Sequence, residues 1–261
     1  MGLPNRTLDP WNLFNPKKII FLIFALALIQ AMGVAMMLLL GTRVGAILSG
    51  FFGGLISSTA ATAALARKSR ASQKEALSQE WLICLSATLA MLLEGAAILL
   101  FGAQRFEASV LLIFLGPVLL SGAMIFFYSK KIEEAPIEID RPLLEFGPLL
   151  KLSAFIIAVL AASKLLQTHL GESGLIAITF IASLFEIHGS QIANMQLHAA
   201  GAIGEKLLGG LIAISIFSSY LSKLFLVFSI GSSDLKWNVL KLTALLLVSL
   251  LASWIAFFFL T

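Results

Sequence analysis

Charged residues are scarce in this chain, and their scarcity indicates its broad class. Only 12% of the 261 residues are Asp, Glu, Lys or Arg, whereas 59% are apolar. A soluble domain carries about 25% charged residues. The composition therefore argues against an ordinary soluble domain and favours a protein embedded in a membrane.

Several chemical motifs are also absent, and each absence narrows the function. A single cysteine, Cys84, excludes a disulfide framework. There is no Gly-x-x-x-x-Gly-Lys-Ser/Thr loop for an ATP-driven pump and no His-Glu-x-x-His metalloprotease pattern. The basic residues do not form the cluster that nucleic-acid binding requires. We therefore expect neither an enzyme nor a nucleic-acid-binding protein.

Long apolar runs make up most of the sequence. About 20 apolar residues in an α-helix cross the hydrocarbon core of a bilayer. The sequence predicts an all-α, polytopic transmembrane helical bundle with about eight spans, at 19–40, 44–66, 81–101, 108–128, 147–166, 174–195, 207–230 and 238–260.

The spans fall into two halves. The first half, 1–128, includes an N-terminal arm, and the second half is 147–261. Between them lies a charged linker, 129–146, in which Pro136 and Pro142 argue against one continuous helix. With eight crossings, most loop lysines and arginines share a side with both termini and the linker, and the positive-inside rule makes that side cytoplasmic.

Similar polar interruptions occur in the second span of each half. The segments are "GGLISSTAATAAL" and "ASLFEIHGSQIAN". Aligning Leu55 with Leu184 places Ser57 opposite Glu186, Thr59 opposite His188 and Thr62 opposite Gln191. This pattern fits two four-helix repeats whose polar sites meet near the midplane. Chance similarity between small residues is the alternative.

Inserting a charged side chain at the centre of a membrane helix costs roughly 2.5–3.5 kcal/mol. Glu186 and His188 are therefore unfavourable in the sixth predicted span unless they have partners. Residues i and i+2 point to different faces of a regular helix. Either the helix unwinds near Gly189 and both side chains serve one site, or they have separate partners. Carboxylate, hydroxyl and carbonyl oxygens suit Mg²⁺, Ca²⁺, Mn²⁺ or Na⁺, whereas an imidazole favours a transition metal or a proton.

The candidate site combines these residues with one further carboxylate. Glu94 lies inside the third span, where we expect it to pair with Lys223 or with the region of Glu186. The candidate ion-binding residues are Glu186, His188, Gln191, Ser57, Thr59, Thr62 and Glu94, with Glu186 and His188 as metal ligands. The competing interpretation is that they form hydrogen bonds between helices and that the Ser/Thr segment is a packing seam.

A family resemblance supports the membrane assignment. The segments "LPNRTLDPWNLFNPKKI" and "LGTRVGAILSGFFGGLISSTAATAALARKS" resemble the membrane domain of unknown function that follows the MgtC/SapB domain in many bacterial proteins. The resemblance implies a bacterial inner-membrane protein and brings no established activity. Where that family tends to carry Asp-x-Asp in its sixth span, this chain has Glu186-Ile-His188.

Two functions from different classes follow. The first is a secondary transporter or channel for a small inorganic cation, divalent or proton-coupled, with no cofactor beyond a bound divalent or monovalent cation. The second is a non-transporting regulatory or scaffolding protein that binds another membrane protein. The expected partners are the bilayer, the cation, and either a second copy of the chain or a separate MgtC/SapB-type protein.

Overall fold

The computed structural model describes residues 46–71, 77–102, 108–129 and 146–261, and single positions between 20 and 35. The N-terminal arm, most of the first predicted span and linker residues 130–145 lie outside the described residues. The described helices are α1 (Ala46–Ala71), α2 (Leu77–Gly102), α3 (Leu112–Ser129), α4 (Phe146–Phe185), α5 (Ile187–Ala199), α6 (Glu205–Ile230) and α7 (Ser233–Leu260), with a 3-10 turn at Ala108–Leu111 before α3.

The predicted all-α membrane bundle is confirmed. No strand occurs among the described residues, and six of their helical segments are long and apolar enough to cross a bilayer. Helix α2 occupies the centre, since 78% of its most apolar window is buried, compared with 28% for α3. The larger of two apolar clusters joins α2 and α3 to α4, α5, α6 and α7.

Helix α1 folds back on itself at Ser57, where the backbone is extended (φ −167°, ψ 102°). Gly50, before this break, lies against Ile83 of α2. Leu65, after it, belongs to the same apolar cluster as Ile83. In a straight helix, residues 50 and 65 would be about 22 Å apart at 1.5 Å per residue. Residues 46–71 therefore form a helical hairpin, hairpin 1, with Ser57 at its tip.

A second hairpin follows the first part of α4. At Gly171 the backbone has φ +60°, a conformation that glycine adopts without steric cost, and the chain reverses so tightly that Gly174 lies against the Leu166 carbonyl. The next break is at Glu186 (φ −149°, ψ 102°). Thr179 Oγ1 donates to Asn194 Oδ1 across it at 3.2 Å. Residues 172–199 therefore form hairpin 2, with Glu186 at its tip.

The two hairpins enter the bundle from opposite ends. At face A, Ser232 N–H donates to Ser69 Oγ at 2.9 Å, which places the open end of hairpin 1 beside the C-terminal end of α6. At face B, Gln167 Nε2 donates to the Ala202 carbonyl at 3.0 Å, which places the open end of hairpin 2 beside the N-terminal end of α6. Helix α6 has 26 residues and is about 39 Å long.

The two halves consequently have opposite orientations. Hairpin 1 is followed by α2 running from face A to face B and by α3 returning, whereas hairpin 2 is followed by α6 running from face B to face A and by α7 returning. Ring contact between Trp81 and Tyr128 places the start of α2 and the end of α3 together at face A. Packing of Gly209 on Phe257 places the start of α6 and the end of α7 together at face B.

This arrangement corrects two expectations from the sequence. The segments predicted as spans 44–66 and 174–195 belong to hairpins that turn back inside the bundle, because a one-residue break reverses each of them. Only hairpin 2 lies between residues 129 and 260, so the first part of α4, α6 and α7 make three crossings there, and Ser129 ends at face A and Leu260 at face B. Ser129 and Leu260 therefore lie at opposite faces of the bundle, and repeated halves would be inverted rather than parallel. Which face is cytoplasmic stays a prediction.

Candidate functional site

The break at Ser57 is stabilised by its own side chain. Ser57 Oγ accepts a hydrogen bond from the Ala60 backbone N–H at 3.2 Å, which caps the second half-helix of hairpin 1. Just before the break, Gly54 lets the backbone approach Ala87 of α2, since a Cβ at Gly54 would lie 2.5 Å from Ala87 Cα. The tip of hairpin 1 is thereby pressed against the central helix.

The break at Glu186 has an equivalent cap. Glu186 Oε1 accepts from the His188 backbone N–H at 3.0 Å. In an unbroken helix that N–H would bind the Leu184 carbonyl. The Leu184 carbonyl instead accepts from the Ser222 hydroxyl of α6 at 2.7 Å. The donor and the acceptor of the hydrogen bond that the break removes therefore each have a new partner.

The two tips meet at a small cavity of about 50 Å³. Hairpin 1 contributes residues on both sides of Ser57, hairpin 2 contributes residues on both sides of Glu186, and α2 and α6 complete the wall. The lining residues are Gly54, Ile56, Ser57, Ser58, Thr59, Glu94, Ser183, Phe185, Glu186, Ile187, His188 and Ser219. Each half-helix leading to this cavity is about 21 Å long or shorter, so the cavity lies near the middle of the bundle.

His188 lies between two carboxylates in this cavity. Its Nε2 is 3.7 Å from Glu94 Oε2, and its Nδ1 is 3.7 Å from Glu186 Oε1. His188 Nε2 also lies 3.3 Å from the Met91 carbonyl oxygen. Glu94 is 2% exposed, whereas the Glu186 side chain is 38% exposed. One carboxylate is thus enclosed and the other remains accessible.

Several buried polar atoms around the cavity have no hydrogen-bond partner. They include Glu94 Oε1 and Ser183 Oγ on its wall, and Ser190 Oγ and Gln191 Oε1 one turn deeper in hairpin 2. Buried polar groups in folded proteins are nearly always hydrogen-bonded. Unsatisfied oxygens around a polar cavity therefore indicate a place for water or an ion.

The structure brings five of the seven candidate residues to the cavity: Ser57, Thr59, Glu94, Glu186 and His188. The other two lie beside it with partners of their own. Thr62 Oγ1 donates to the Ser58 carbonyl at 2.7 Å. Gln191 Nε2 donates to Ser215 Oγ at 3.4 Å. These two residues support the hairpins rather than line the cavity.

The break in hairpin 2 occurs three residues before Gly189, the expected position. A backbone break at Glu186 changes the i, i+2 geometry, so Glu186 and His188 share one cavity without unwinding at Gly189. Gly189 instead accommodates the Phe155 ring, whose Cδ1 would lie 2.9 Å from an added Cβ. Glu94 lines the same cavity as Glu186, whose region was one of the two partners expected for Glu94.

Sequence reasoning did not select Ser183 and Ser219. Serine in a membrane helix carries little signal, because it often bonds back to a carbonyl of its own helix. The signal that could have identified Ser219 is its spacing from Lys223, one turn later on α6. Among the described residues, no group of three or more His, Cys, Asp or Glu side chains has the geometry of a metal centre. Metal ligation by Glu186 and His188 stays a prediction.

The comparison with known families agrees with the resemblance in part. Residues 25–231, which include both hairpins, match the family described as "Domain of unknown function (DUF4010)". The chain belongs to the DUF4010 family. The association with MgtC/SapB stays a prediction. No curated protein and no solved structure matches the chain.

Proposed function

We propose that this DUF4010 protein is a secondary transporter for a small inorganic cation, which binds between the tips of hairpins 1 and 2. The observation that carries the proposal is the meeting of two broken helices, from opposite faces, at a cavity that contains Glu94, Glu186 and His188. Inverted repeats with broken helices and a midplane site are the common architecture of secondary transporters.

The charges at the cavity favour a cation. Two carboxylates face one imidazole, so the cavity is negative or neutral in most protonation states. Ionisable groups inside a membrane protein mark ion or proton pathways more often than they serve packing. The C-terminal ends of the first half-helices bring the negative ends of two helix dipoles to the tips, which suit a cation in the same way.

The size of the cavity limits the substrate. About 50 Å³ holds one or two water molecules, since a water occupies about 30 Å³ in the liquid. A bare or partly hydrated inorganic ion fits this space, whereas an organic metabolite does not. The hydroxyls of Ser57, Thr59 and Ser219 would replace part of the hydration shell of such an ion.

The proposed location is a bacterial inner membrane with face A in the cytoplasm. Arg67, Lys68 and Arg70 lie at the face A end of hairpin 1. Lys236 lies in the first turn of α7, close to Ser232 at the same face. At face B, the described cation is Lys206 at the start of α6. The positive-inside rule then orients the protein.

The test is cation flux into liposomes that contain the purified protein, with a panel of monovalent and divalent cations. The wild type should carry at least one ion, and Glu94→Gln and Glu186→Gln should each abolish its flux because they remove a charge at the cavity. Glu172→Gln is the matched control, since it makes the same change in hairpin 2 at face B and should retain flux.

Three results would decide against transport by this site. They are no flux of any ion, full flux in both cavity variants, or equal loss in the Glu172→Gln control. If no ion is transported although the purified protein is folded, the regulatory or scaffolding function is favoured.

A further inference from the structure

Lys223 is a buried lysine whose amino group has weak partners. It lies on α6 and is 5% exposed. Its Nζ donates to Met91 Sδ at 2.9 Å and to Ser219 Oγ at 2.8 Å. Both acceptors are neutral, and no carboxylate among the described residues lies within 4.0 Å of it. A buried charge normally requires an opposite charge beside it.

A buried carboxylate that lacks a hydrogen-bond donor lies near Lys223. Glu94 is on α2, one turn from Met91, and its buried Oε1 has no hydrogen-bond partner. Ser219, which accepts from Lys223 Nζ, also lines the cavity with Glu94. The ammonium is therefore separated from the cavity by one hydroxyl. The four-carbon stem of lysine allows its head group to move by several ångströms through rotamer changes alone.

We propose that Lys223 is an intramolecular competitor for the cation: its ammonium enters the cavity and pairs with Glu94 when the transported ion leaves. The inference rests on the proposed function and specifies how the same site is reset. The ion and the ammonium carry charges of the same sign, so they repel each other in a cavity of about 50 Å³. Binding of one therefore displaces the other, and the empty carrier keeps its buried carboxylate compensated.

The first test is cation affinity, measured by calorimetric titration of the purified protein with an ion that the wild type binds. Lys223→Met keeps the length of the side chain and removes the competitor. If the ammonium occupies the site nine-tenths of the time, the affinity should rise about tenfold, because the apparent affinity scales with the competent fraction. Lys206→Met, on the same helix at face B, is the control and should leave the affinity unchanged.

The second test separates direct pairing from a distant charge effect. In buffer without the ion, Glu94→Gln should lower the melting temperature of the wild type, since it removes the acceptor of the ammonium. The same change should have little effect in the Lys223→Met background. Lys223→Gln provides a second background in case the Met variant folds poorly.

The outcomes distinguish the two claims. Wild-type protein that binds no cation contradicts both the proposed function and the competitor. Binding with equal affinity in wild type and Lys223→Met contradicts the competitor alone. Higher affinity with additive melting shifts for Glu94 and Lys223 also contradicts it, because Lys223 would then act from a distance without entering the site.

Discussion

At the scale of single residues, the site depends on side chains that end and restart helices. Ser57 and Glu186 each leave helical conformation and each cap the half-helix that follows. These are the two residues that the alignment of Leu55 with Leu184 places opposite each other. The polar character of the two segments was visible in the sequence because each side chain interrupts an apolar run. The backbone conformation of Ser57 and Glu186 was not visible in the sequence. The same polar residue types occur at helix caps and within continuous helices, where a serine bonds back to a carbonyl of its own helix.

The cap at Ser57 gives a prediction about stability. Ser57→Ala removes the acceptor for the Ala60 N–H, so we expect a loss of about 1 kcal/mol in the free energy of unfolding. Ser57→Asn retains a capping oxygen and should restore most of it. Denaturant or thermal unfolding in detergent measures both.

The control for that experiment is Ser190→Ala. Ser190 Oγ is buried and bonds no other protein atom, so its removal breaks no hydrogen bond within the protein and should cost less than the change at Ser57. Equal losses in Ser57→Ala and Ser190→Ala would mean that the Ser57 cap contributes nothing of its own.

At the scale of elements, hydropathy identified where apolar helices lie but not which of them cross the membrane. Hairpin 1 contains 26 helical residues, as many as α2, and both are apolar because both are surrounded by helices or lipid. A window of about 20 residues cannot distinguish one straight helix from two short helices joined by a single extended residue. The deciding contacts, such as Gly50 on Ile83, are long-range and leave no local pattern.

Close packing of hairpin 1 on α2 predicts a strong effect at Gly54. A methyl group there would lie 2.5 Å from Ala87 Cα and 2.7 Å from its carbonyl oxygen, so the two backbones must separate. We expect Gly54→Ala to cost about 1–3 kcal/mol of stability and to weaken cation binding, because the tip would move.

Gly122→Ala on α3 is the matched control for this variant. No atom lies within 4 Å of the position that the added methyl group would occupy, so the change should be neutral or stabilise the helix by about 0.5–1 kcal/mol. If Gly54→Ala were as well tolerated as Gly122→Ala in thermal unfolding, hairpin 1 would not lie against α2 as described.

At the scale of the whole molecule, the two hairpins determine the topology. Hairpin 2 replaces one of the four crossings predicted between Ser129 and Leu260, which leaves three, so these residues lie at opposite faces. The distribution of loop cations predicted which side of the membrane the linker faces. That prediction counted each hairpin as a membrane span. The inversion of the halves is therefore a consequence of two single-residue breaks.

Cysteine labelling in sealed vesicles tests this topology. Ser129→Cys and Thr261→Cys should react with a membrane-impermeant maleimide from opposite sides. The unmodified chain serves as the control, because its Cys84 is buried and should not react. Labelling of both positions from the same side would contradict the hairpins and restore the eight-span topology.

The cation site between the hairpin tips is tested most directly by thermal unfolding of the purified protein across a panel of cations, with Glu94→Gln and Glu172→Gln beside the wild type. An ion at a hundredfold excess over its dissociation constant should stabilise the wild type by about 2.7 kcal/mol. We expect this shift to occur with a particular cation, to persist in Glu172→Gln and to disappear in Glu94→Gln. A shift that persists in Glu94→Gln, or no shift with any cation, would contradict a cation site between the hairpin tips.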